Sequence, residues 1–132
     1  MTDNLIISRR EEIQKVEKLL ENINKNFKLQ EVKFVNLVIA VTEALINAIV
    51  HGNKNDPGKK VYVEIIVNSL NITVKIKDEG TGFDISSIPD PTASENILKE
   101  HGRGIYIIKS LVDSFECNSG NNGTCYTLEM HK

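Results

Sequence analysis

A chain of 132 residues, 40% hydrophobic and 26% charged, has the make-up of one ordinary folded domain over residues 1–132. It is long enough to bury about two-thirds of its unfolded surface around a single core. A formal charge of −2 and the lack of a basic stripe argue against nucleic-acid binding. Residues 1–5 have neither the basic segment nor the apolar stretch of a signal peptide. The most apolar run, residues 35–50, is broken by Asn36, Thr42, Glu43 and Asn47, against a membrane span. The chain reads as cytoplasmic, and Cys117 and Cys125, although they flank an expected hairpin, are expected to be free thiols. With only three scattered histidines beside them, they do not form a zinc site.

Residues 4–7 predict a short apolar strand. Ser8-Arg9-Arg10-Glu11 then has the spacing of a capping box, and Ile13, Val16, Leu19, Leu20 and Ile23 follow at helical spacing. This amphipathic helix is expected to end near Asn24. A second helix, about residues 30–50, is apolar nearly all round and so is expected to be buried on most sides. Along it Asn36, Glu43, Asn47 and His51 fall within about 80° of one another, forming one narrow polar stripe. Gly52 and the Asn55-Asp56-Pro57-Gly58 turn stop this helix.

From Val61 the apolar period becomes two, and runs over residues 61–67 and 70–76 predict a hairpin with one dry and one wetter face. Residues 83–100 show little regular pattern. A segment that long between ordered elements works as a lid or binding loop. Ile105, Ile107, Ile108, Leu111 and Val112 define a short third helix. A second hairpin closes the chain, residues 114–118 and 124–130 joined by Gly120-Asn121-Asn122-Gly123. The elements together predict a two-layer α/β (α+β) sandwich, with a mostly antiparallel mixed sheet covered on one face by helices.

Three separated segments carry the chemistry. Glu43 and Asn47, one turn apart inside an apolar run, need water, a ligand or a metal, because an ionised carboxylate is strongly disfavoured in a dry interior. Asn47 offers a neutral oxygen suited to a hard cation such as magnesium, and Glu43 is placed to take a proton from an attacking hydroxyl. A solvent-facing pair at the core edge is the alternative. Asp78-Glu79-Gly80-Thr81-Gly82 leaves a strand. Its aspartate can accept from an exocyclic amine while Gly80 and Gly82 admit a flat base, although the same run also reads as a tight turn. Gly102-Arg103-Gly104 enters the third helix, where amides and the helix dipole favour an anion and Arg103 adds a charged donor; a plain glycine hinge is the alternative. Thr124, beginning the last strand, either reaches the base region or is an ordinary strand threonine. His51 sits at a helix end. The Gly-x-x-x-x-Gly-Lys-Ser/Thr loop is absent, and Gly80 and Gly82 lead into a lid rather than a helix, against a dinucleotide-binding fold.

In order and placement these segments resemble the Bergerat ATP-binding fold of the GHKL superfamily, shared by gyrase, heat-shock chaperones, histidine kinases and MutL. Glu43 and Asn47 match its N box, Asp78, Gly80 and Gly82 its first glycine box, Gly102 and Gly104 its second, and Gly123-Thr124 its last. Within it the chain is most similar to stand-alone anti-sigma-factor serine/threonine kinases of the RsbW type. The likeness extends through Asn47-Ala48-Ile49-Val50-His51-Gly52, Phe83-Asp84, Ile105 and Val112-Asp113. The resemblance implies ATP and Mg²⁺ as cofactors, a lid over residues 83–101, Asn47 as the metal ligand, Glu43 as the base and Asp78 as the adenine reader. It also implies a sigma factor and a STAS-domain anti-anti-sigma protein as partners, and a homodimer. Two other functions fit the same residues: a nucleotide-gated binding module with negligible kinase activity, and a slow ATPase. A histidine kinase would need a phosphoacceptor histidine on a helix pair, and gyrase- and chaperone-type ATPases a following domain; the length predicts a free-standing module instead.

Overall fold

The computed structural model describes residues 1–81 and 100–132, with residues 100–103 described by their backbone alone. Gly82, the side chain of Arg103 and the expected lid up to residue 99 therefore lie outside the described residues. The order is β1 (Thr2–Ile7), a 3₁₀ turn (Arg10–Glu12), α1 (Ile13–Phe27), α2 (Glu31–Ile46) running on into a π-helical segment (Asn47–Gly52), β2 (Val61–Val67), β3 (Asn71–Lys77), α3 (Glu100–Leu111), β4 (Ser114–Gly120) and β5 (Gly123–His131).

The five strands form one sheet in the order β1-β2-β3-β5-β4. Every pairing among the described strands is antiparallel, so the expected mixed character is not seen there. Strand residues alternate by face, as the period of two requires. Ile65, Val74 and Leu128 share a row that is buried against the helices, whereas Glu64, Lys75 and Thr127 share one on the outer face. The core joins that buried sheet face to Val16 and Leu20 of α1, Leu37, Val41 and Leu45 of α2, and Ile105 and Ile108 of α3. Cys117 lies opposite Tyr126 while Cys125 lies opposite Asn118, so the two thiols point to opposite faces and stay free.

The helix boundaries depart from the pattern for identifiable reasons. The carboxylate that reaches back to cap the first helical stretch belongs to Glu12, not Glu11. Its Oε1 accepts from the Ser8 amide (3.1 Å), the Arg9 amide (3.2 Å) and the Ser8 hydroxyl (3.3 Å). Asn24 does not end α1. The helix runs on to Phe27, Lys28 turns left-handed at φ 60°, and Asn24 closes the turn with both its carbonyl and its Oδ1, accepting from the Lys28 and Leu29 amides at 2.9 Å each. The start of α2 is less buried than expected, with Val32, Val35 and Ile39 exposed. By length and composition 31–52 is apolar enough to cross a membrane, yet its Leu37, Val41, Ala44 and Leu45 are core residues.

Hydrogen bonds from the Ser8 amide, then from the Lys15 ammonium, hold the Glu12 carboxyl at about 2, below its ordinary 4.5. A depressed carboxyl pKa stabilises the fold above the unfolded value, and that contribution is lost as pH falls through the folded one. Glu12→Gln is expected to lower the melting temperature at pH 7, with the difference from wild type shrinking as pH falls from about 4.5 to about 2. Thermal melts across that range check it.

Candidate functional site

Asp78 leaves the end of β3 with its side chain fully buried. Oδ1 accepts from the Gly80 amide at 2.9 Å and from the Thr124 amide at 3.0 Å, while the Asp78 amide donates to the Thr124 carbonyl at 3.0 Å. Oδ2 is also buried and, among the described residues, receives no hydrogen bond. Burial raises the carboxyl pKa above its ordinary value, and the Gly80 and Thr124 amides only partly oppose that.

Three glycines surround this carboxylate because nothing larger fits. A Cβ on Gly52 would collide with Oδ2, one on Gly80 would collide with the Gly52 carbonyl, and one on Gly123, held at φ 117°, would collide with the Asp78 carbonyl. The hydroxyls of Thr124 and Ser119 are 2.8 Å apart, so the buried Thr124 has both its amide and its side chain tied beside Asp78. A cleft of about 630 Å³ opens beside this turn, lined in part by Tyr62, Asp78, Gly80 and Asn122.

The second cluster lies on α2 and α3. Asn47 is buried, and its Nδ2 has no hydrogen-bond partner among the described residues. Glu43, one turn earlier, is half-buried. Gly104 faces both: a Cβ there would sit 3.2 Å from Asn47 Oδ1 and 3.3 Å from Glu43 Oε2. The residues between the clusters, Asn47–Gly52, wind as a π-helix rather than the expected α-helix, so His51 departs from the expected α-helical stripe. Single π turns inside α-helices recur at functional sites. Here the wider turn carries the chain from Asn47 to Gly52, against Asp78.

Of the residues chosen from sequence, Asp78, Gly80 and Thr124 come together around one carboxylate, and Glu43 and Asn47 come together against Gly104 of α3. Gly102, Arg103 and Gly104 lie within α3 instead of in a turn ahead of it, because α3 includes residues 100–104. Gly82 lies outside the described residues. Sequence reasoning passed over Asn53, which is almost fully buried. It follows the helix-stopping Gly52, where a polar residue reads as turn, and no local pattern marks it as interior.

The chain matches the histidine kinase-like ATPase domain family over residues 6–130. Among curated proteins it is 39% identical over 90 residues to an anti-sigma F factor of Oceanobacillus iheyensis, covering 67% of this chain and 58% of that one. An anti-sigma F factor of Anoxybacillus flavithermus is 32% identical over 106 residues, covering 78% of this chain and 69% of the relative. Among solved structures, the histidine kinase domain of a blue-light activated histidine kinase from Erythrobacter litoralis shares the fold. It has a TM-score of 0.59 at 16% identity, over 89% of this chain and 59% of that one.

A raised carboxyl pKa works against stability above the folded value and has no effect below the unfolded one. Asp78→Asn is therefore expected to raise the melting temperature of the unliganded protein at neutral pH, the gain disappearing below pH 3.8. Gly123→Ala combines a positive φ with a backbone collision. It is expected to lower stability by about 1–3 kcal/mol, measured by chemical denaturation.

Proposed function

The chain belongs to the histidine kinase-like ATPase domain family, and on that premise we propose that it is an ATP-dependent serine/threonine protein kinase and anti-sigma factor. It binds a sigma factor, or instead phosphorylates a STAS-domain anti-anti-sigma partner. The anti-sigma F factors among its relatives support the sigma factor as a partner. A homodimer in the cytoplasm is part of the same proposal.

The observation that carries the nucleotide reading is the buried Asp78 carboxylate with Oδ2 unmatched. A solitary acceptor in a dry site calls for a donor, and the exocyclic amine of adenine supplies one. Gly80, which lines the cleft beside Asp78, is assigned to the base side, and so is Thr124, whose amide donates to Asp78 Oδ1. Gly82 is assigned with Gly80 to the base, and Gly102, Arg103 and Gly104 to the phosphate side, Arg103 through its charge. The donor set also fits magnesium: Asn47 has a neutral carboxamide oxygen beside Glu43, and Gly104 lacks the Cβ that would crowd both. When bound there, the ion neutralises charge on the phosphates.

Glu43 then acts as the base. It takes the proton from a serine or threonine hydroxyl of the partner protein as that oxygen bonds to the γ-phosphorus. The bond from the γ-phosphorus to the bridging oxygen breaks, and ADP leaves. Because the nucleophile lies on another protein, positioning and electrostatics are all this small domain must provide.

Radiolabelled ATP incubated with the chain and a STAS-domain protein is expected to label a serine or threonine of that protein. Glu43→Ala is expected to reduce the rate by about 10²-fold or more with ATP affinity unchanged. Asp78→Asn is expected to weaken ATP binding by roughly 10–100-fold. ATP binding without any labelled partner would make the protein a nucleotide-gated binding module. Phosphate release with no partner present would make it an ATPase.

A further inference from the structure

The connection between the π segment and β2 carries a closed polar ring. Asn53 Oδ1 accepts from the Glu79 amide at 2.8 Å, and Asn53 Nδ2 donates to the Lys60 carbonyl at 3.0 Å. The Lys60 amide in turn donates to the Glu79 carboxylate. Three residues, at the start of the connection, at its end and in the turn after β3, thus bond in a circle. Both ends of the Asn53 carboxamide are satisfied, as a side chain 1% exposed requires. The Asn53 amide also bonds to the Ala48 carbonyl at 2.8 Å, which anchors the ring to the π segment.

We propose that Asn53, with Glu79 and Lys60, is a positioning residue of the nucleotide site, setting where the unmatched oxygen of Asp78 points. The inference rests on reading Asp78 as the acceptor for a purine amine. The Glu79 amide belongs to the peptide immediately after Asp78, so its bond to Asn53 fixes the backbone rotation on which the Asp78 side chain stands. The Gly80 amide reaches Oδ1 only while residues 78–80 keep that turn, an Asx turn closed by the aspartate itself. With Oδ1 engaged by Gly80 and Thr124, the direction left to Oδ2 follows from the turn. Glu79, the exposed acidic neighbour of Asp78, thereby has a task in the ring and none in chemistry.

Titration calorimetry with ATP and with purine riboside triphosphate, the same nucleotide lacking the 6-amino group, tests this. Wild type is expected to bind ATP more tightly than the analogue. Asn53→Ala is expected to weaken ATP by about tenfold or more and leave the analogue unchanged, so that discrimination is lost. Should Asn53→Ala fail to fold, Glu79→Ala opens the ring from the exposed side and is expected to reduce the same ratio, with Glu79→Gln restoring it by keeping the acceptor. Equal weakening of both nucleotides in these variants, or no change in either, would overturn the positioning role. A wild-type chain that binds both nucleotides equally sinks the assignment of Asp78 itself, a separate result obtained before any variant is made.

Discussion

A carboxylate withdrawn entirely from water is the constraint around which the rest of this molecule is arranged. Asp78 has one oxygen held by two backbone amides and the other facing no donor among the described residues. In a dry interior such a group is strongly unfavourable unless something completes it. The fold tolerates it because the surrounding structure over-determines the position. A strand end on one side, the start of β5 on another and a π-helical backbone on a third leave no room for the side chain to swing out. Strain and incomplete hydrogen bonding held in place by a well-packed surround are what a binding site is made of.

The surround has a simple division of labour. The sheet supplies a floor whose buried row of branched residues sets the distance to the helices, and α2 lies on that floor with Leu37, Val41 and Leu45 buried. Because α2 is anchored by apolar contacts, Glu43 and, at the start of the π segment, Asn47 stand in fixed positions facing Gly104 of α3. Cross-links between elements add registration. The Thr42 hydroxyl donates to Glu17 of α1 at 3.1 Å, and the Lys33 ammonium donates to the His131 carbonyl at 2.8 Å and lies 3.6 Å from the Asp113 carboxylate. Polar contacts of this kind contribute little energy at a surface. Their value here is to fix α2 relative to α1 and to the last strand, and hence the site to the core.

Asn53, Lys60 and Glu79 do the corresponding work between the helix end and the turn after β3. The turn that holds Asp78 is not a free glycine-rich loop but a backbone clamped from behind. The glycines at 52, 80 and 123 reflect this clamping: each removes a Cβ where two backbones or a backbone and a carboxylate approach too closely for one. Glycine-rich segments in such a site are therefore a packing requirement first and a source of mobility only second.

Much of this was legible in the residues. The two hairpins follow from alternation that can be satisfied only by a sheet with one dry face, and the segments of the site follow from charged and small residues standing where the local pattern calls for apolar ones. The chain by itself determined the element order and the two-layer sandwich, and it picked out Asp78, Glu43, Asn47 and their glycines as candidates, because hydrophobic periodicity and local side-chain chemistry are properties of neighbours in sequence. Only the tertiary structure decided that the helix widens into a π turn at Asn47, that Glu12 rather than Glu11 caps, that Gly102–Gly104 lie inside α3, and that Asn53 clasps a turn 26 residues away. Those outcomes depend on which backbone donors and acceptors meet across space once the layers pack, and no local pattern encodes that meeting.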